Sequence, residues 1–497
     1  MLVKIFGSAV HGVEAITITI EVNVGQGTKF YIVGLPDNAV KESGYRIETV
    51  IKNAGYKMPR LRTIVNMAPA DIRKAGAAYD LPIAVGILAA SKQLVFSIPP
   101  EQFVIMGELS LDGTLRPIRG ALPMALQAKK EGFRGMILPL QNAREAAMVE
   151  GIEVYGVEHV GEVLGFLRGE IALQKMLFEK YNERFCFDVD FADVKGQNIG
   201  KRAMEIAAAG GHNLILIGPP GAGKTMLAKR LPTILPPLSL EEALETTRVY
   251  SAAGKFNGIL SGRPFRAPHH TISDIALAGG GNPPVPGELS LAHNGVLFLD
   301  ELPEYKRGAL EVLRQPMEDR KVTVSRARNT FDFPTSFMLV AAMNPCPCGY
   351  FNHPEKNCTC MPGMVQKYLN KISGPLLDRI DLHVEVTPVS PGTAETGERS
   401  DVIRERVIAA RNKQWERNGH YNAQMNISNC MPEPAALQLL ESAMKRLQLS
   451  ARAYDRILKV SRTIADLAGS EHITTSHLAE AIRFRTLDRG QWGAYQC

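Results

Sequence analysis

The segment Gly218-Pro-Pro-Gly-Ala-Gly-Lys-Thr225 constrains this chain more than any other. It fits G-x-x-x-x-G-K-[ST], and it lies between an apolar run, Asn213–Ile217, and a helix-forming run, Met226–Leu231. A loop of this kind curls its backbone N–H groups around phosphate oxygens and aims the positive end of a helix at them. That geometry needs a buried strand to deliver the loop and a helix to leave it, so an α/β layer is expected here. Gly218, Pro219, Pro220, Gly221, Ala222, Gly223, Lys224 and Thr225 are the candidate ATP-binding residues. Lys224 is placed for the β/γ-phosphates and Thr225 for Mg²⁺.

The other half of such a site is an acid at the end of a second buried strand. Val296-Leu-Phe-Leu-Asp300-Glu301 supplies two. Asp300 is placed to hold Mg²⁺, directly or through water, and Glu301 to polarise the attacking water. A third apolar run, Phe337–Ala342, ends in Met343-Asn344, where a polar side chain suits orienting that water or sensing the γ-phosphate.

Around this core the chain divides into three blocks. Residues 1–170 mix alternating β-branched runs, such as Ala15–Val22, with Gly-rich turns and helical stretches, an α/β pattern. Residues 171–193 read as a linker. Residues 194–390 alternate short apolar strands with helices, the pattern of a parallel sheet covered on both faces. Ser390–Ser400, rich in Pro, Gly, Ser and Thr, reads as an exposed connection. Residues 391–497 read as a small helical domain, with apolar spacing at Leu437, Leu439, Leu440, Met444 and Leu447.

Composition narrows the class of protein. Of 497 residues, 45% are apolar and 22% charged, which excludes a largely disordered chain. The longest apolar stretches, such as Leu81–Ala90, are too short to cross a bilayer, and MLVKIFGSAVHGVEA lacks the apolar core of an export signal. A cytoplasmic protein without a membrane partner is therefore expected. Lys and Arg total 57 against 51 Asp and Glu, a surplus that permits a polyanionic partner without demanding one. Residues 399–497 alone carry 15 basic against 10 acidic side chains.

Four of the seven cysteines crowd into Cys346-Pro-Cys348 and Cys358-Thr-Cys360. Residues two apart in an extended segment face the same way, so each pair offers two thiolates together. The two pairs suit a structural Cys₄ site for Zn²⁺, with His353 as a competing ligand; four reduced cysteines in a turn are the alternative.

Several phrases carry a resemblance. Arg263-Pro-Phe-Arg-Ala-Pro-His-His-Thr271, Pro286-Gly-Glu-Leu-Ser-Leu-Ala-His-Asn-Gly295, Leu313-Arg-Gln-Pro-Met-Glu318 and Ser373-Gly-Pro-Leu-Leu-Asp-Arg-Ile-Asp381 resemble the ComM/YifB family of Mg-chelatase-like AAA+ ATPases, essentially end to end. The resemblance implies a Lon-protease-like N-terminal domain, an AAA+ P-loop core with a parallel sheet, and a helical lid. It implies that Asn344 is sensor 1, that Arg379 is an arginine finger for a neighbouring subunit, and that Arg452 is the sensor-2 arginine. A guanidinium suits a γ-phosphate gathering charge, though Arg379 pairing with Asp378 or Asp381 is the plainer alternative. A finger acting in trans requires a homo-oligomeric ring, which the resemblance makes a hexamer.

The N-terminal block resembles the Lon-like domain through Asn66–Asp71, Lys74–Pro82 and Gly107–Ile118. The Ser and Lys of a peptidase dyad would fall at Ala78 and Leu122, so peptidase chemistry is not expected there. Ser110 and Lys74 lie at the wrong places in the pattern.

Arg320-Lys-Val-Thr-Val-Ser-Arg-Ala-Arg328 alternates β-branched residues between the Asp300-Glu301 and Asn344 strands. In related AAA+ motors a hairpin here points into the ring's channel. Arg320, Lys321, Arg326 and Arg328 are accordingly the candidate DNA contacts, with an ordinary solvated hairpin or an intersubunit contact as the alternative. Three functions compete: a DNA motor, with branch migration implied by the resemblance; a chelatase-type motor driving metal insertion; and a peptidase or switch.

Overall fold

The computed structural model describes residues 2–177, 187–281, 284–325, 330–351, 353, 355–361, 363–388, 397–430 and 432–485. The expected hairpin residues Arg326 and Arg328 lie outside the described residues, as do parts of both expected connections.

The alternating run near the N-terminus pairs strand β1 (Leu2–His11) with β2 (Glu14–Gly25) in a long antiparallel hairpin. Strands β3 (Phe30–Val33), β4 (Arg62–Ala68) and β5 (Phe103–Ile105) join them. A small hairpin of β6 (Glu108–Leu109) and β7 (Leu115–Arg116) stands apart, and β8 (Gly135–Pro139) and β9 (Glu153–Val157) complete a mixed sheet ordered β3-β4-β2-β1-β5-β8-β9. Helix Asp80–Ala90 is buried along its whole length, as expected of a helix apolar on every side. Asp80, at its first turn, forms a bidentate pair with Arg46 of the outer helix Asn38–Asn53. Lys175 bridges to Tyr155 and Met176 N donates to Val154 O, so the start of the expected linker packs on this sheet.

The second sheet is wholly parallel. Its strands are β10 (Leu214–Ile217), β11 (Phe265–Arg266), β14 (Val296–Leu299), β17 (Met338–Met343) and β18 (Leu382–Glu385), ordered β11-β14-β17-β10-β18. Two hairpins are inserted, β12 (Gly279–Gly281) with β13 (Pro284–Pro286), and β15 (Lys321–Ser325) with β16 (Thr330–Pro334). The three central strands, β14, β17 and β10, are buried throughout, which is why their sequences read as continuous apolar runs.

The last block is helical: Ser400–Asn418, Pro434–Leu447, Ala451–Leu467 and Thr475–Arg483. Ile403, Val407, Ile457 and Ile464 pack into the same apolar core as Leu214, Leu216 and Val384, so the lid is built onto one face of the parallel sheet.

A separate apolar cluster joins the first block to the second. Val13, at the β1–β2 turn, is buried with Val249 and Leu291 and with Val322, Phe331 and Phe333 of the β15–β16 hairpin. His11 lies on Phe331 at 4.5 Å between ring centroids. Nearby, Ser251 Oγ donates to the buried Glu145 carboxylate, which also accepts from Leu122 N at 2.9 Å. Among the described residues, no helix is long and apolar enough to cross a membrane.

Candidate nucleotide site

The phosphate loop follows β10 directly, and helix Lys224–Ile234 starts at its lysine. Gly218 is required by close approach, because a Cβ there would meet Val386 O at 2.2 Å. Lys224 is buried, and its ammonium donates to Gly218 O at 2.6 Å, Pro219 O at 2.9 Å and Asn344 Oδ1 at 3.1 Å. Burial lowers its pKa, against the pull of Asp300 and Glu301. Thr225 Oγ1 donates to Asp300 Oδ2 at 2.8 Å. The structure therefore brings together the expected loop, both ends of the β14 acid pair and the end of β17.

Glu301 stands in the left-handed region at φ +52°, uncommon for a side chain of its size, and its carboxylate is exposed. Its carboxylate lies 3.4 Å from His270 Nδ1. Tyr305 Oη donates to Pro268 O at 2.6 Å and pins the loop that carries His270. A cavity of about 250 Å³ beside this loop is lined by Arg266, His269, Thr271 and Glu288. Arg266 is already paired there with Glu288 at 2.7 and 2.8 Å.

Gln197 and His270 escaped the sequence reading. Gln197 Nε2 donates to Ala222 O of the phosphate loop at 3.0 Å and to Thr387 O at 2.6 Å, tying the loop to the strand beside it. Neither residue belongs to a spacing motif. The repeated His-His in Arg263–Thr271 was the one signal for His270.

The two candidate arginines lie elsewhere. In the parallel register Leu214 faces Leu382, so Asp381 is level with Asn213 at the strand ends opposite the phosphate loop. A strand of four residues separates the two edges, roughly 13 Å of backbone. Arg379 is buried on the far edge, where it pairs with Glu318 at 2.9 Å and donates to Pro375 O at 2.6 Å. Its partner is thus neither Asp378 nor Asp381. Arg452, exposed, approaches Asp378 at 3.4 Å. Asp381 is fully buried. Burial would raise its pKa, but Arg456 at 3.0 Å, His212 and the Asn213 N–H hold it well below the usual carboxylate range.

The described cations of the basic hairpin, Arg320 and Lys321, both have partners within the chain. Arg320 donates to Phe337 O at 2.9 Å and its backbone is left-handed at φ +56°. That hydrogen bond ties its guanidinium to the hairpin's root. Lys321 is exposed but paired with Asp332 at 2.8 Å.

The cysteines converge as expected. Cys346, Cys348, Cys358 and Cys360 place their sulfurs within 4.8 Å of one another. Sγ separations are 3.3 Å for Cys346–Cys348, 3.8 Å for Cys346–Cys358 and 3.5 Å for Cys348–Cys358. Four thiolates about 2.3 Å from a tetrahedral metal would stand roughly 3.8 Å apart, so the set fits such an ion. His353 accepts from Glu355 N and Lys356 N and is not part of the cluster.

A P-loop on the first strand of a wholly parallel sheet, an acid pair on a second and a polar residue on a third define an AAA+ nucleotide-binding protein. Residues 190–394 match the family described as magnesium chelatase, subunit ChlI, residues 20–142 that described as subunit ChlI of Mg-chelatase, and residues 397–485 its C-terminal region. The chain is 45% identical over 504 residues to the competence protein ComM of Haemophilus influenzae, covering 98% of each. It is 44% identical over 489 residues to YifB of Salmonella typhimurium, covering 96% of each. A stretch of 126 residues is 32% identical to Lon protease 2 of Bacillus subtilis, 25% of this chain and 22% of that one. The chain belongs to the ComM/YifB family of Mg-chelatase-like AAA+ ATPases.

Proposed function

We propose that the protein is an Mg-ATP-driven ring motor acting on DNA, with branch migration in recombination or natural transformation as its task. The observation that carries this reading is the division of the hydrolytic residues between two edges of one sheet. Lys224, Thr225, Asp300, Glu301 and Asn344 share one edge, while Arg379 and Arg452 stand at the other. An arginine so placed suits a phosphate on another copy, and a closed ring would let every copy complete a neighbour's site.

The residues fit ATP and Mg²⁺. Lys224 would exchange its carbonyl partners for β/γ-phosphate oxygens, and the Thr225–Asp300 pair would hold Mg²⁺. A cation held there would neutralise phosphate charge. Glu301, exposed and poised by its backbone, orients water and takes its proton. Asn344 links the Lys224 ammonium to β17 and so reports the phosphate to the sheet. The four cysteines suit a structural Zn²⁺, since a closed Cys₄ set leaves no position for substrate.

For DNA, support comes from the β15–β16 hairpin inserted before the Asn344 strand and from the name of the competence protein the chain resembles. With Arg320 and Lys321 engaged, the contact falls to Arg326 and Arg328. The deciding experiment compares ATP hydrolysis without DNA and with single strands, duplex and a four-way junction. Stimulation strongest with the junction is expected. Absence of both stimulation and binding at low salt overturns the DNA reading and favours a chelatase-type motor working through a partner, as the ChlI family descriptions suggest.

A further inference from the structure

The cysteine knuckle is not an isolated ornament of the loop. It begins two residues after Asn344, the acceptor for Lys224, on the same uninterrupted run from β17. Its first turn closes by Gly349 N donating to Cys346 O at 3.0 Å. Gly349 is left-handed at φ +85°, and a Cβ there would meet Pro220 Cδ at 2.6 Å and Cγ at 2.9 Å. The bare backbone of the knuckle therefore lies against the ring of Pro220, inside the phosphate loop.

The knuckle has little of its own to hold it in place. Among the described residues, Val365 is the one fully buried member of its apolar cluster besides Cys346 and Cys360, with Phe351 and Leu369 half-buried around it. A segment with so small a core needs a covalent or metal staple to keep one conformation. The four sulfurs are placed to accept one, and Phe351 N donates to Cys346 Sγ at 3.3 Å, a donor that stabilises a metal-bound thiolate.

We propose that metal occupancy of the Cys346, Cys348, Cys358 and Cys360 site sets the nucleotide affinity of the phosphate loop, through the Gly349–Pro220 contact. This rests on the reading of Gly218–Thr225 as the nucleotide site. With the metal bound, the knuckle backs Pro220 and holds the loop in the shape that receives phosphate. Without it, the turn at Cys346–Gly349 loosens and the loop must be ordered by the nucleotide itself, which weakens binding. Linkage makes the effect reciprocal, so bound nucleotide slows loss of the metal.

The test uses the full chain, purified without chelators. Elemental analysis should find about one zinc per chain. Binding of a fluorescent ATP analogue is then measured on the protein as purified, after stripping with a chelator, and after adding back Zn²⁺ alone. Stripping should weaken binding about tenfold or more, and Zn²⁺ should restore it. Gly349→Ala should weaken binding while keeping its zinc, which separates the contact from the metal and from misfolding. Zinc release to a colorimetric chelator should slow when a non-hydrolysable ATP analogue is present. Unchanged nucleotide affinity in stripped protein overturns the coupling while leaving the nucleotide site standing. Protein that never binds nucleotide, loaded or stripped, overturns the nucleotide site, and protein that carries and takes up no metal overturns the metal site.

Discussion

Arg379 and Glu318 form a 2.9 Å ion pair on the edge of the parallel sheet farthest from Lys224. The guanidinium is 11% exposed, and its buried Nε has no hydrogen-bond acceptor among the described residues. For a group that always carries charge, this is a poised arrangement. Its partner Glu318 is a half-exposed carboxylate, which the proposed finger role requires to yield to a γ-phosphate.

Arg379→Ala should bind ATP normally and lose roughly 1,000-fold or more in hydrolysis, the usual contribution of an arginine finger. Mixing it with Lys224→Ala should recover part of the rate, because some interfaces in a mixed ring keep both groups. Mixtures no faster than the separate variants would show that Arg379 serves its own chain or none.

Glu301→Gln should keep nucleotide affinity and lose about 100-fold or more in turnover, since only the proton-accepting group is removed. Binding and steady-state hydrolysis measured on the same preparation decide it. A variant with wild-type turnover would remove Glu301 from the chemistry.

Asp381→Asn should destabilise the chain by about 3–5 kcal/mol, as it leaves the Arg456 charge without its buried partner. The sign with pH follows from the depressed carboxyl pKa. Its stabilising effect is fully present above the ordinary value near ~4 and is lost as pH falls through the folded value. Denaturation of wild type and variant should therefore differ most at neutral pH and converge in acid. A gap that stayed constant to the lowest pH at which both fold would contradict the assignment.

The N-terminal block should cleave no peptide. Ala78 and Leu122 supply neither nucleophile nor base, Ser110 Oγ accepts from Arg116 at 2.7 Å, and the buried Lys74 ammonium donates to Pro69 O. ATP-dependent loss of casein that survives removal of contaminating proteases would overturn this.

What the sequence made legible was what lies close along the chain. The phosphate loop, the acid pair after β14, the polar end of β17 and the paired cysteines each fit within a few residues, where spacing alone dictates geometry. The contacts that escaped join distant segments. Gln197 meets Ala222 and Thr387 only because the parallel sheet sets three loops side by side. Arg379 found Glu318 and not its neighbours Asp378 and Asp381, because Asp381 turns inward to Arg456 and the Asn213 N–H. Arg320 read as one more cation on a basic strand. A left-handed turn at the hairpin's root aims it at Phe337 O instead, and no charge pattern announces such a turn.

The seating of Val13 and His11 on the β15–β16 hairpin bears on how the molecule can be dissected. Cutting the chain near residue 190 would not liberate a self-sufficient engine. It would strip the apolar cover from Phe331 and Phe333 and leave the Ser251 hydroxyl without its Glu145 acceptor. The fragment would carry a greasy scar at the base of its hairpin, prone to clumping, and sluggishness in such a fragment would say nothing about whether the missing domain takes part in the work.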